Sequence, residues 1–255
     1  MTQDAIIEGI EKMKREKDVL ILAHYYVDDS VQQIADFVGD SYYLSQMALS
    51  QEQNTILFCG VKFMGESAKI LNPEKKIIMA EVLADCPMAH MVKEDIIHDM
   101  RSRYEDLAVV CYVNSTAELK ALSDVCVTSS NAVKIVGQLD QKNILFVPDE
   151  NLGRYVQSRL PEKNFIFANG FCHVHAKITE SNINDMKRRI PESQVLVHPE
   201  CTIEVAKMAD YVGSTSDIIN YATQSDCKDF IICTEVGIFY ELQRRNPNKN
   251  FYYAR

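Results

Sequence analysis

Two cysteines, Cys86 and Cys172, each close an apolar run and stand 86 positions apart. The second lies in the stretch Lys163–Thr179, where a strand-like run ends at the turn Asn169-Gly170 and Cys172, His173 and His175 follow. A thiol just past the C-terminal end of a strand stands where open α/β sheets hold their ligands. A third cysteine at the same interval falls near position 258, beyond Arg255. Three thiolates around one axis suit an iron–sulfur cluster or zinc. A 4Fe–4S cluster held by three cysteines leaves one iron open to act as a Lewis acid on a hydroxyl or carboxylate.

Other polar residues recur at matching places. His24 with Tyr25 and Tyr26, Tyr112 with Asn114, and His198 with Glu200 each end an apolar run. A polar group there costs desolvation unless it meets a partner, so three equivalent positions argue for a shared central pocket. The other use of such residues is to cap the following helix, which suits Asn114 and Ser115. Gly39-Asp40-Ser41, Thr128-Ser129-Ser130 and Gly213-Ser214-Thr215 form a second set. Each is an ordinary helix cap by itself. Together they suggest an anionic ligand held by hydroxyls and backbone N–H groups.

These residues ride on an internal repeat. Asp36 and Asp124 are separated by 88 positions, Asp124 and Asp210 by 86. Around them the runs Val19–Tyr26, Leu107–Asn114 and Val195–Glu200 begin three copies of one unit. The strand candidates are continuous apolar runs, the pattern of parallel strands covered on both faces. Helical spacing over Ser30–Phe37, Ala117–Leu122 and Ile203–Met208 fills the matching slots between them. Each copy therefore reads β-α-β-α-β-α with right-handed crossovers. The expectation is an α/β protein of three similar three-layer α/β/α domains with parallel sheets, arranged with pseudo-threefold symmetry around a central site. The boundaries fall at 1–90, 91–178 and 179–255, the last copy being incomplete at its C-terminus. Polar segments around Lys93–Asp106 and Thr179–Ser193 read as linkers. Gly39, Gly60, Gly65, Gly153, Gly170, Gly213 and Gly237 are expected at strand ends and turns.

A net charge of −9 argues against nucleic acid or an anionic membrane as the main partner. The N-terminal stretch, with Ile6, Ile7, Ile10 and Met13 at helical spacing, is interrupted by Glu8, Glu11 and Lys12 and so lacks the apolar core of a signal peptide. The expectation is a cytoplasmic protein whose eight cysteines are thiols. Cys59, Cys111, Cys126 and Cys233 lie in strand-like runs and read as small buried hydrophobes. Cys201 and Cys227 also read as structural. No C-x-x-C occurs, which removes zinc fingers and thioredoxin-like motifs.

The chain resembles the A-type quinolinate synthases of NAD biosynthesis over nearly its whole length. The resemblance is carried by ILAHYYVDDSVQQIADFVGDSYYLSQMA (Ile21–Ala48), FMGESAKILNP (Phe63–Pro73), ADCPMA (Ala84–Ala89), YVNSTAELKALSD (Tyr112–Asp124), GFCHVH (Gly170–His175), HPEC (His198–Cys201), VGSTSDII (Val212–Ile219) and TEVGI (Thr234–Ile238). It implies three α/β/α domains around a 4Fe–4S cluster, and condensation of iminoaspartate with dihydroxyacetone phosphate to quinolinate with loss of phosphate and water. Carried over motif by motif, Cys86 and Cys172 look like cluster ligands, with a third cysteine expected just beyond Arg255. His24, Ser41, Tyr112, Asn114, Ser129, His198, Glu200 and Thr215 look like substrate contacts. Tyr26 and Glu200 are the choices for proton transfer, and His175 for orienting a substrate carboxylate. The resemblance also suggests coupling to an aspartate oxidase or dehydrogenase that supplies the imine.

The sequence departs from the family pattern at Cys233, where glycine is usual before Thr-Glu, at Thr202, where proline is common, and at Ala176-Lys177, where the family is more acidic. A non-catalytic iron–sulfur or small-anion binding protein of the same fold is the alternative, and zinc in place of the cluster is a weaker one.

Overall fold

In the computed structural model, which describes residues 2–254, twelve strands form three four-stranded sheets, every pairing parallel. The chain divides at Cys86 and Pro87 into two compact units. The first holds α1 (Gln3–Glu16), β1 (Val19–His24), α2 (Asp29–Ile34), β2 (Phe37–Gly39), α3 (Ser41–Ser50), β3 (Thr55–Cys59), α4 (Lys62–Leu71) and β4 (Lys76–Met79), with sheet order β2-β1-β3-β4.

The second unit carries two sheets. Its first runs α5 (Glu94–Arg103), β5 (Leu107–Tyr112), α6 (Ala117–Ala121), β6 (Val125–Val127), α7 (Ala132–Gly137), β7 (Asn143–Val147), α8 (Glu150–Arg159) and β8 (Asn164–Phe167), in the order β6-β5-β7-β8. Its second runs α9 (Glu180–Arg189), β9 (Gln194–Val197), α10 (Ile203–Lys207), β10 (Tyr211–Val212), α11 (Thr215–Gln224), β11 (Asp229–Cys233), α12 (Ile238–Arg245) and β12 (Asn250–Tyr253), in the order β10-β9-β11-β12. Short 3-10 helices at Pro87–His90 and His175–Lys177 follow Cys86 and Cys172.

Each repeat thus extends one strand beyond β-α-β-α-β-α. The continuous apolar runs are the buried strands expected: all six residues of β5 are buried. The two supposed linkers are helices, α5 and α9. They are polar because each lies on the surface and fully buries a single side chain, Ile97 or Ile183. The short helices end earlier than their spacing suggested, and Phe37 begins β2.

The repeat is built from recurring clamps. Asp36, Asp124 and Asp210 accept hydrogen bonds from the backbone N–H of Ile21, Val109 and Val195, at 2.8, 2.7 and 2.7 Å. Each clamp ties the turn before the second strand to the middle of the first. Lys75, Lys163 and Lys249 occupy another equivalent position. Their ammonium groups donate to carbonyls at or just past a helix C-terminus: Lys75 to Ala48 (2.7 Å) and Gln51, Lys163 to Leu139 (2.6 Å) and Gln141 (2.9 Å), and Lys249 to Ala222 and Ser225 (both 2.6 Å). Cations are favoured there by the otherwise unpaired carbonyls and the helix dipole.

Gly65 and Gly153 lie inside α4 and α8, not at strand ends. A Cβ would meet Met79 Sδ at 2.2 Å in the first case and Phe167 at 2.6 Å in the second. These glycines let a helix close on the outer strand of its sheet. Three of the cysteines expected to be buried, Cys59, Cys111 and Cys233, are so, but Cys126 is exposed because β6 is a short edge strand.

Candidate active site

The common strand order puts a topological switch between the first and third strands of every sheet, the place where open α/β sheets bind ligands beyond the strand C-termini. The polar strand-end residues stand there. His24 and Tyr112 are the last residues of β1 and β5, and His198 follows β9. Beside them, past the third strands, come Gly60, Pro148-Asp149 and Thr234.

In the second unit these ends converge on a buried network. The Tyr112 hydroxyl donates to Glu200 Oε1 at 2.5 Å. Glu200 Oε2 lies 3.0 Å from His175 Nδ1, and the same ring nitrogen is 3.1 Å from Cys172 Sγ. The other ring nitrogen, Nε2, meets the Thr234 hydroxyl at 2.9 Å. His198 stacks on His175 with ring centroids 4.7 Å apart, and its Nδ1 accepts from the Glu200 backbone N–H at 3.3 Å. Tyr112, His175, His198, Glu200 and Thr234 are all buried, whereas Cys172 is half-buried.

Charge in this network is arranged unequally. Burial works against ionising Glu200, but the imidazoles of His175 and His198 and the Tyr112 hydroxyl more than offset it, so its carboxyl titrates well below the ordinary range. Asp149 is fully buried; burial first and the Glu200 charge second hold its carboxyl well above the usual value. Burial, then the Glu200 carboxylate, likewise push the Cys172 thiol up.

Asp149 also shapes the Cys172 loop. Its Oδ1 caps α8 by accepting from Leu152 N–H at 2.7 Å, and its Oδ2 accepts from Cys172 N–H at 3.1 Å. Next to it, Glu150 N–H donates to Gly170 O at 2.7 Å. A Cβ on Gly170 would lie 2.3 Å from the Pro148 carbonyl oxygen, so only glycine permits this approach. Asn169 before it takes the left-handed conformation (φ 57°), which asparagine tolerates better than most residues.

The donor atoms of Cys172, His175 and Glu200 lie within 4.8 Å of one another. Ionising Cys172 here places a thiolate beside a buried carboxylate, an arrangement a metal cation would stabilise. The donor set therefore fits a thiolate-held metal group. Asn114 contributes a buried Oδ1 with no hydrogen-bond partner among the described residues, an acceptor open to a ligand. Thr215 is buried at the start of α11 behind a capping box made by Ser214 and Asp217. Ser129 is half-buried beside Thr128, whose N–H donates to Asn131 Oδ1 at 2.7 Å.

The first unit places its own candidates at the equivalent strand ends. His24 Nδ1 accepts from Tyr26 N–H at 3.3 Å, matching the His198–Glu200 contact, and the Tyr26 ring meets His24 edge-on at 4.3 Å. Ser41 opens α3, whose cap is Asp40. Cys86 is half-buried in the loop after β4, its N–H donating to Asp85 Oδ1 at 2.8 Å. The third cysteine, expected beyond Arg255, lies outside the described residues.

Sequence reasoning passed over Asp149 and Thr234. Each follows the third strand of a sheet by one or two residues, and that position was the available signal.

These parallel sheets, with polar residues at their switch points and a thiol, an imidazole and a carboxylate meeting in a largely buried network, define an α/β enzyme equipped for metal-assisted chemistry. The sequence profile of the quinolinate synthetase A protein family matches residues 8–255, and the chain belongs to that family. It is 53% identical over 247 residues to a quinolinate synthase of Fusobacterium nucleatum, covering 97% of this chain and 83% of that protein. It is 52% identical over 243 residues to a quinolinate synthase of Clostridioides difficile, covering 95% and 80%, and 50% identical over 252 residues to one of Caldicellulosiruptor saccharolyticus, covering 99% and 83%. The chain is therefore that of an enzyme of NAD biosynthesis. Among the described residues no helix is long and apolar enough to cross a membrane.

Proposed function

We propose that this chain condenses iminoaspartate with dihydroxyacetone phosphate to form quinolinate, releasing phosphate and water, and that it does so with a 4Fe–4S cluster held by Cys86 and Cys172. The observation that carries the reading is the continuous contact from Tyr112 through Glu200 and His175 to Cys172. It links a proton-transfer group directly to a metal-binding thiol.

Glu200, held ionised in a buried site, is the base that takes a proton from the bound substrate. Tyr112 and His175 hold its two oxygens in place, and Thr234 fixes the ring of His175. Tyr26 is the second proton-transfer group. His24, Ser41, Asn114, Ser129, His198 and Thr215 bind the substrates, the hydroxyls and helix starts receiving the phosphate and carboxylates. When bound, the cluster supplies an open iron that acts as a Lewis acid on a substrate hydroxyl or carboxylate. Each four-stranded sheet, with its polar residues at the switch point, forms one of three similar α/β/α domains. The imine is supplied by an enzyme that oxidises aspartate. A second reading, zinc in place of the cluster, is favoured by the Cys172, His175 and Glu200 donor set, a combination that zinc accepts.

The test is anaerobic turnover with both substrates, quinolinate being separated and quantified. The parent forms product, and Glu200→Gln and Tyr26→Phe each lower kcat by roughly 10²–10⁴-fold, the usual contribution of a positioned acid or base. Product formation at parental rates in both variants overturns the assignment.

A further inference from the structure

Cys111 and Cys126 are direct partners in the parallel ladder of β5 and β6. Residues in register on neighbouring parallel strands point to the same face, with backbones about 4.8 Å apart. That spacing lies within the Cα range of disulfides. The two thiols differ in setting. Cys111 is fully buried in the core with Val109, Leu119 and Leu145. Cys126, on the edge strand, is exposed. The side chains interact with each other, and the Cys111 thiol, with Lys120 nearby, brings the Cys126 thiol down to about 7 against the opposing effect of burial. An exposed, acidic thiol beside a buried resolving thiol is the arrangement of redox-sensitive cysteines. Neither residue belongs to the candidate active site.

We propose that Cys111 and Cys126 form a redox-active dithiol, closed to an intramolecular disulfide by small disulfides of the glutathione class and reopened by a dithiol reductant. The Cys126 thiolate attacks one sulfur of glutathione disulfide. A mixed disulfide forms and glutathione thiolate leaves. Cys111, losing its proton, then attacks Cys126 Sγ, the protein S–S bond forms, and the second glutathione departs as a thiolate. Two cysteine thiols are oxidised and one glutathione disulfide is reduced to two glutathione molecules. In register, the Cβ atoms stand near the strand spacing of about 4.8 Å, wider than the usual mean of about 3.8 Å in disulfides. The bond therefore draws the strands together and remains readily reducible. The strand ends it pulls lie immediately before Tyr112 and just before Thr128-Ser129.

The test equilibrates anaerobically purified protein in glutathione buffers of increasing oxidised fraction, alkylates under denaturing conditions, and maps cysteine peptides by mass spectrometry. Expected is a single two-electron transition that removes two of the eight alkylatable thiols and yields a Cys111–Cys126 linked peptide, reversed by dithiothreitol. Cys126→Ser, an exposed change that spares the core, abolishes that peptide and leaves Cys111 alkylatable. Cys126 halted as a glutathione adduct while Cys111 stays a thiol overturns the proposal, as does retention of both thiols in fully oxidised glutathione.

Discussion

Replacing Asp149 separates its roles as a hydrogen-bond acceptor and as a buried charge. Its two oxygens serve the N–H groups of Leu152 and Cys172. Asp149→Ala strands both donors. An unsatisfied buried donor costs about 1–3 kcal/mol, and loss of a helix N-cap typically about 1 kcal/mol, so the expected loss is about 2–4 kcal/mol. Asp149→Asn keeps an acceptor that caps α8 equally well but turns an amide NH2 toward Cys172 N–H, for a loss of about 1–3 kcal/mol. The pH dependence has a definite sign. An acid whose pKa rises on folding binds its proton more tightly in the native state. Its contribution to stability is complete below the unfolded value of about 3.9 and is lost as pH rises through the native value. The deficit of the Asn variant relative to the parent must therefore shrink as pH is raised. Urea unfolding of cluster-stripped protein at several pH values measures this, followed by far-UV circular dichroism because the chain has no tryptophan. Equal stability of the parent and the Ala variant, or an Asn deficit that grows with pH, refutes the reasoning.

Three further outcomes follow from the same geometry. Thr234→Val removes the partner of His175 Nε2 and should lower turnover or metal retention by roughly tenfold or more, as loss of an orienting partner commonly does; kcat and iron content report it. Gly170→Ala forces a Cβ against the Pro148 carbonyl and should cost about 1–3 kcal/mol in thermal unfolding, with weaker iron retention because the Cys172 loop moves. Lys249→Met leaves the carbonyls of Ala222 and Ser225 without their ammonium partner and should cost about 1–3 kcal/mol in urea unfolding, without altering the pocket.

The layered parallel fold was legible because a strand covered on both faces is a continuous apolar run and because Asp36, Asp124 and Asp210 mark the period. Their clamp on the first strand explains the mark. Lys75, Lys163 and Lys249 carry the same period, but a lysine in a turn reads as a solvated surface residue until the carbonyls it caps are seen. The helices α5 and α9 read as linkers in sequence because surface helices that fully bury one side chain leave little apolar stripe to detect. Cys126 reads as buried from its apolar neighbours, and only the strand order shows that it is on an edge. The residues of the Tyr112, Glu200, His175 and Cys172 network were legible by type and position. Their contacts were not, since Tyr112 and Glu200 are 88 positions apart. Asp149 and Thr234 look like turn polarity in sequence, and they matter through what they hold.

Iron and acid-labile sulfide per chain, measured after anaerobic purification of the parent and of Cys172→Ser, show whether Cys172 holds an iron–sulfur cluster. About four of each are expected in the parent, the stoichiometry of a 4Fe–4S cluster, with their loss in the variant. Negligible iron in the parent, or iron undiminished by Cys172→Ser, contradicts it.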